Sequence, residues 1–246
     1  IATTAVESEP SVGKRQLKVP LPAAGALDER RAYEVTAASP TRVIVVSGLA
    51  GSGKTTLLTS IYERLSAGPL GDLYFSGGRS PHAFEEWCHD GRLLSNRDTP
   101  DTARTPHTSP GGSRFLHLRL ATSDHPGSLG AGMGAWVHRD FLFTDLQGEV
   151  FERISDGSDA ATRMTVFRRA DHFVQLLDGE HLQDPARRHG TVADAKNILR
   201  SCLDGEALTR RTVVHVVATK WDLVRSGQNE ASVAEFFNAS AESIVG

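Results

Sequence analysis

The segment at residues 43–58 places the tightest limit on how this chain can fold. It reads VIVVSGLAGSGKTTLL: an apolar β-branched run, a glycine-rich turn, and then apolar residues at helical spacing. A strand is therefore predicted to lead through a glycine loop, residues 48–53, directly into a helix. The loop carries the G-x-x-x-x-G-K-[ST] pattern, whose backbone N–H groups are typical of a cradle for phosphate groups.

Each part of this loop has a predicted task at a phosphate chain. Glycines let the backbone curl tightly enough to aim several N–H groups inward, and the start of the helix adds the positive end of its dipole. The Lys54 ammonium group is expected to bind the β and γ phosphates, and the Thr55 hydroxyl to bind magnesium. The predicted phosphate-binding residues are Gly51, Ser52, Gly53, Lys54, Thr55 and Thr56.

Composition excludes several classes of protein. The chain has 246 residues, 39% hydrophobic, with a formal net charge of -3, which suits one globular domain with a full core. Lys and Arg are scattered, so nothing indicates a nucleic-acid surface, and no apolar run approaches the length of a membrane span. Cys88 and Cys202 stand far apart, which argues against a disulfide framework and favours the reducing cytoplasm.

The chain divides into a predicted tail or linker, residues 1–38, and a domain, residues 39–246. Within the tail, residues 31–36 are a candidate edge strand. The domain carries an irregular insertion at about residues 74–112, in which a helix is expected to begin at Ser80-Pro81 and to stop at Gly91.

Strands and helices alternate through the rest of the domain. Because several strands are continuously apolar, we predict a doubly wound α/β fold: a mostly parallel sheet covered on both faces, with ligands at the carboxyl ends of its strands. The predicted strands are residues 43–47, 115–120, 141–145, 172–177 and 212–218, and the predicted helices are residues 54–65, 158–169, 193–203 and 230–244.

Asp145 ends the predicted strand FLFTD, and Gly148 follows three residues later in the sequence Asp-Leu-Gln-Gly. A carboxylate at a strand end can hold magnesium through water. A glycine three residues later lets a backbone N–H meet the γ-phosphate of a triphosphate while the loop stays free to move. These two residues therefore form a second candidate part of a nucleotide site.

The segment TKWD, residues 219–222, indicates which base is bound. It ends another apolar strand, where a carboxylate at Asp222 can accept hydrogen bonds from N1–H and the exocyclic amine of guanine. Adenine offers no such pair of donors. Lys220 can lay its aliphatic stem over the purine ring, and Thr219 completes the predicted base-binding set.

GSGKT, DLQG and TKWD, in this order on strand ends, resemble the phosphate-loop, magnesium-switch and base-specificity motifs of Ras-like GTPases in the translation-factor-related class. More narrowly, FSGGRSPHAFEEWCHDGRL and FLFTDLQGE are similar to segments of bacterial double-GTPases of the second type. The resemblance implies a P-loop G-domain fold, GTP, GDP and Mg²⁺ as ligands, and GTP hydrolysis. It also implies a partner protein or second GTPase in predicted bacterial conflict or defence systems.

The chain departs from the family pattern at several positions. Glu149 stands where many relatives have a glutamine that orients the attacking water, so hydrolysis is expected to be slow or dependent on a partner. Thr105 and Thr108 are the two candidates for the threonine that closes the first switch on magnesium. Arg104 is a candidate arginine finger, and the base-supporting motif, with a last strand and helix, is expected beyond Gly246.

Two other functions remain open from the sequence. A P-loop ATPase or small-molecule kinase is one, because the apolar strand FVQLLD ends in Asp178, an alternative magnesium carboxylate. A nucleotide-binding scaffold that no longer hydrolyses its ligand is the other, and Glu149 favours it.

Overall fold

The fold is organised around a sheet whose four neighbouring strands β4, β1, β5 and β6 run parallel. The computed structural model describes residues 25–95, 114–123 and 136–245. In sheet order β2-β3-β4-β1-β5-β6, the strands are β2 (Leu73–Phe75), β3 (Arg114–Ser123), β4 (Trp136–Asp145), β1 (Thr41–Ser47), β5 (His172–Asp178) and β6 (Val213–Thr219).

The pairing brings four carboxyl ends to one edge of the sheet. β1 lies between β4 and β5 and is parallel to both, and β6 is parallel to β5. β3 runs antiparallel to β4, and the short β2 is antiparallel to β3. Ligands of such sheets bind outside the carboxyl ends, so this edge is the place to look for a site.

Helices cover both faces of the sheet, as the sequence predicted. In chain order, the helices of the described residues are α1 (Glu29–Ala38), α2 (Lys54–Ala67), α3 (Pro81–Ser95), α4 (Gly148–Asp156), α5 (Ser158–Thr162), α6 (Thr165–Arg169), α7 (Gly179–Gln183), α8 (Arg188–Asp204), α9 (Trp221–Ser226) and α10 (Glu230–Val245). One apolar cluster packs α1, α4, α6 and α8 against the sheet, and another packs α2 and α3 against the opposite face.

Strand β1 belongs to both clusters because its side chains alternate between the two faces. Val43 and Val45 pack in the cluster with Phe151, whereas Val46 packs in the cluster with Leu58 of α2. The loop after β1 is therefore anchored by buried contacts on both sides of the sheet.

The predicted edge strand at residues 31–36 is wrong, because these residues lie in α1. The side chain of Asp28 accepts a hydrogen bond from the Arg31 backbone N–H at 2.8 Å and so caps the helix. Ala32 and Val35, three residues apart, are buried on one helical face. Burial at helical spacing, together with the cap, outweighs the β propensity of this short segment.

Three other helices differ from the prediction, and one of them, α8, begins at Arg188 rather than at residue 193. Helix α3 continues through Gly91 to Ser95, since a single glycine in a helix costs only about 1 kcal/mol and Phe84 and Cys88 are buried against α2. The single helix expected at residues 158–169 is two short helices, α5 and α6, with a break at Met164.

A buried polar network fastens the loop before α3 to the sheet. Asp140 of β4 is 1% exposed, and its carboxylate accepts hydrogen bonds from Arg119 at 2.8 Å and from Nε2 of His117 at 2.9 Å. Nδ1 of His117 accepts the Arg79 N–H at 2.9 Å, which fixes the neutral imidazole with its proton on Nε2. Ser39, after α1, also donates to Asp140.

The network sets the charge of its members. Burial alone raises the pKa of Asp140, but the hydrogen bonds from Arg119, Ser39 and His117 outweigh it and hold the pKa well below its ordinary value. Burial lowers the pKa of His117, in agreement with a neutral ring. The Asp140 carboxylate is thus a charged centre on which α1, β3 and the loop before α3 converge.

Replacing this carboxylate should weaken the whole fold. Asp140→Asn removes the carboxylate that Arg119, His117 and Ser39 contact, and we expect a loss of about 2 kcal/mol in the free energy of unfolding, measured by urea denaturation at pH 7. Asp156→Asn removes the same charge from an exposed position and should cost little. Equal costs for the two variants would show that the network does not hold the fold together.

Candidate functional site

The loop between β1 and α2 has the backbone geometry of a phosphate cradle. Gly51 and Gly53 have φ angles of 76° and 84°, in the left-handed region that glycine adopts without strain. No side chain caps the start of α2, so the first N–H groups of this helix remain available to a ligand. The buried Ser52 hydroxyl, within the described residues, lacks a hydrogen-bond partner. The uncapped start of α2 and the unpartnered Ser52 hydroxyl both suit a loop that binds an anion.

Lys54 is held against this loop. Its Nζ donates hydrogen bonds to the carbonyl oxygens of Gly48 at 2.6 Å and Leu49 at 2.8 Å. Burial lowers its pKa to about 8, while the carboxylates of Glu149, Asp145 and Glu152 act in the opposite direction. The ammonium group is therefore poorly solvated and would gain from the oxygens of a phosphate chain.

The start of α4 lies directly against the phosphate loop. A Cβ atom added to Gly148 would come within 2.3 Å of the Ala50 N atom and 2.5 Å of the Ala50 Cα atom. Only glycine fits at this position, which explains on steric grounds the residue that the sequence singled out. Glu149 follows in the first turn of α4, and Asp145 ends β4.

The end of β6 meets the phosphate loop from the other side. The Thr219 hydroxyl lies 2.8 Å from the Ser52 carbonyl oxygen and 3.2 Å from the Leu177 carbonyl oxygen. Thr219 also lies in van der Waals range of Gly53, where an added Cβ would approach its Cβ to 3.4 Å. The phosphate loop and the TKWD segment, remote in sequence, thus form one continuous surface.

Lys220 and Asp222 occupy the turn after β6. Lys220 adopts a left-handed backbone conformation, φ 50° and ψ 37°, and precedes α9. Asp222 lies in the first turn of α9 with an exposed side chain. This short helix was not predicted, and it leaves the Asp222 carboxylate accessible to a ligand.

The head group of Lys220 contacts two carboxylates, those of Asp178 and Glu180. Sequence reasoning did not connect either of them with Lys220. Its Nζ lies 2.8 Å from Oδ2 of Asp178 and 3.0 Å from Oε2 of Glu180. Asp178 is the last residue of the apolar strand β5, and Glu180 follows it in the sequence Asp-Gly-Glu. Their position at a strand end was the sequence signal that could have identified them.

The candidate switch threonines, Thr105 and Thr108, and the candidate arginine finger, Arg104, lie outside the described residues. No group of three or more His, Cys, Asp or Glu is placed to hold a metal ion in the ranges that the structure covers. Mg²⁺ does not need such a cluster, since it is commonly bound by one or two protein oxygens together with substrate phosphates and water. Thr55, in the first turn of α2, and Asp145, at the end of β4, both carry side-chain oxygen atoms at this edge of the sheet.

These features are typical of a nucleotide-binding α/β protein, and the comparison with protein families is more specific. The model of the Double-GTPase 2 family matches residues 42–244. The chain belongs to this family, which confirms the narrower resemblance found in its motifs and implies that it binds guanine nucleotide. Among curated proteins no match to the chain was found. None of the described helices has the length and apolar character that crossing a bilayer requires.

The contact between Thr219 and the phosphate loop can be tested by removing one hydroxyl. Thr219→Val keeps the shape but leaves the Ser52 carbonyl oxygen without this donor, so we expect a loss of about 1 kcal/mol in stability and about fivefold weaker GDP binding. Thermal denaturation and calorimetric titration with GDP measure the two effects.

Thr212→Val is the matched control. The Thr212 hydroxyl donates to the Ala170 carbonyl oxygen at 3.0 Å, next to the opposite end of β6. Its loss should lower stability by a similar amount without changing the affinity for GDP. If both variants weakened GDP binding equally, the special role of Thr219 would be disproved.

Proposed function

We propose that this protein is a guanine-nucleotide switch with a P-loop G-domain fold that hydrolyses GTP to GDP with Mg²⁺. The observation that carries the proposal is the hydrogen bond from Thr219 to the Ser52 carbonyl oxygen. It joins a loop suited to phosphates to a strand end suited to guanine, at the sheet edge where α/β proteins bind ligands. Membership of the Double-GTPase 2 family supports the same function.

In this proposal the phosphate chain lies in the loop at the start of α2. Backbone N–H groups of residues 51–56 and the Lys54 ammonium group bind the phosphate oxygens. Thr55 and Asp145 hold the magnesium ion, directly or through water, and the bound ion supplies positive charge to the phosphates. Lys54 is already directed toward the loop by its bonds to Gly48 and Leu49.

Asp222 selects the base. Its exposed carboxylate accepts hydrogen bonds from N1–H and the amine of guanine, while the stem of Lys220 packs on the ring. Adenine would leave this carboxylate without two donors. Thr219 keeps the base-binding turn in contact with the phosphate loop.

The contacts of Asp178 favour this function over an ATPase or kinase that uses Asp178 for magnesium. Oδ1 of Asp178 accepts the Glu180 backbone N–H at 2.9 Å, and Oδ2 pairs with Lys220. The Asp178 side chain is 7% exposed, so both oxygens already have protein partners in a buried position. Binding a cation there would require breaking the pair with Lys220.

Gly148 is the proposed sensor of the γ-phosphate. Its backbone touches Ala50, so a terminal phosphate that alters the loop also alters the start of α4. The signal would pass to a partner protein or second GTPase, in the cytoplasm and in a bacterial conflict or defence system. That biological setting rests on the resemblance to double-GTPases.

Base selection is tested by comparing nucleotides. Asp222→Asn should weaken GDP binding by about tenfold or more, since hydrogen bonds to a charged group contribute about 1.5–3 kcal/mol, and should leave weak ADP binding unchanged. Asp204→Asn, at the exposed end of α8, is the control for loss of charge and should bind GDP like the wild type. A wild-type preference for ADP that Asp222→Asn does not alter would rule out a guanine switch.

Glu149 is expected to slow hydrolysis, because its carboxylate repels the charge that gathers at the γ-phosphate. In a single-turnover assay with GTP and Mg²⁺, Glu149→Gln should hydrolyse about tenfold faster than the wild type, since the amide can orient water. Glu152→Gln removes a neighbouring charge of the same helix and serves as control.

The same assay separates the switch from a scaffold without activity. Hydrolysis by the wild type, however slow, supports the switch. If neither the wild type nor Glu149→Gln turned over bound GTP, the scaffold would be the better description.

A further inference from the structure

We propose that Asp178 and Glu180 are positioning residues for guanine recognition, holding Lys220 in the orientation that packs its stem on the base. This inference rests on the proposed function and deepens it, because it identifies residues outside the TKWD segment that determine affinity for the base. The two carboxylates are called here the Lys220 clamp.

Both carboxylates of the Lys220 clamp contact the same atom. The Nζ atom of Lys220 lies 2.8 Å from Asp178 and 3.0 Å from Glu180. Asp178 is buried, whereas the Glu180 side chain is 55% exposed. Glu180 can therefore be substituted without damage to the core.

The backbone around the clamp is built for close approach. A Cβ atom on Gly179 would come within 2.3 Å of the Thr219 carbonyl oxygen and 3.1 Å of the Lys220 carbonyl oxygen. Only glycine lets the turn after β5 lie this close to the turn after β6. Oδ1 of Asp178 accepts the Glu180 N–H, which fixes the direction of Oδ2 toward Lys220.

The Lys220 clamp also sets the charge state of Lys220 and limits which part of its side chain can contact a ligand. Burial alone lowers the pKa of Lys220, but the two carboxylates outweigh it and raise the pKa, so the head group stays charged. Its charge is balanced locally by two anions rather than left free for a phosphate. The part of Lys220 that remains for a nucleotide is its aliphatic stem, which fits the face of a purine.

Holding the head group lowers the entropic cost of binding. A free lysine side chain samples many rotamers and must lose that freedom when a base packs on it, whereas a lysine held at its end has already lost it. Weakening the clamp should therefore reduce affinity for nucleotides with a base and leave affinity for the phosphate chain alone unchanged.

The experiment compares Glu180→Gln with the wild type and with Glu29→Gln, an exposed charge-loss control on α1. Calorimetry measures the Kd for GDP and for inorganic tripolyphosphate. We expect Glu180→Gln to weaken GDP binding by about two- to fivefold, the range of a single exposed ion pair, with tripolyphosphate unchanged. Asp178→Asn should weaken GDP binding further.

A double-mutant cycle identifies the route of the effect. In a Lys220→Met background the stem is present but has no head to hold, so adding Glu180→Gln should change the Kd for GDP by less than about twofold. An unchanged Kd for GDP in the single Glu180→Gln variant would overturn the inference. So would an equal loss for tripolyphosphate, or a full loss in the Lys220→Met background.

This design separates the inference from the function beneath it. If the wild type did not bind GDP, the guanine switch itself would fail. If the wild type bound GDP and Glu180→Gln matched Glu29→Gln, only the clamp would fail.

Discussion

The site depends on one close approach, that of Thr219 to the phosphate loop. β1 and β6 are not neighbours in the sheet, since β5 lies between them. The Thr219 hydroxyl spans this gap by reaching both the Ser52 and Leu177 carbonyl oxygens. Because β1, β5 and β6 are hydrogen-bonded side by side, the sheet and the Thr219 contact together set the spacing between the loop after β1 and the turn after β6.

Lys54 and Lys220, both at this edge of the sheet, have pKa values shifted in opposite directions. Burial lowers the pKa of Lys54, whose nearest partners are the neutral carbonyl groups of Gly48 and Leu49. In contrast, carboxylate partners raise the pKa of Lys220 and satisfy its charge. A charged group held by neutral partners gains from an arriving phosphate, whereas one already paired with carboxylates does not. This difference supports the proposed roles, in which Lys54 binds an anion and Lys220 offers its apolar stem to the base.

The sequence predicted well wherever the signal was local. Continuous apolar runs located β5 and β6, and helical spacing after Lys54 located α2. It failed at residues 31–36, where a short segment fits a strand and a helix equally well and only burial of Ala32 and Val35 decides. The structure gives the positions of the predicted site residues, and their roles stay predictions.

Local sequence was enough to predict the strand, glycine loop and helix around Lys54, because positive φ angles and apolar periodicity are properties of neighbouring residues. The pairing of Asp178 with Lys220, 42 residues away in the chain, became visible only in the folded structure. Such a pair depends on which strands adjoin and on the room left by Gly179. Coulomb attraction depends on the distance between two charges in space. The order of strands in the sheet sets the distance between Asp178 and Lys220, and no local sequence pattern encodes that order.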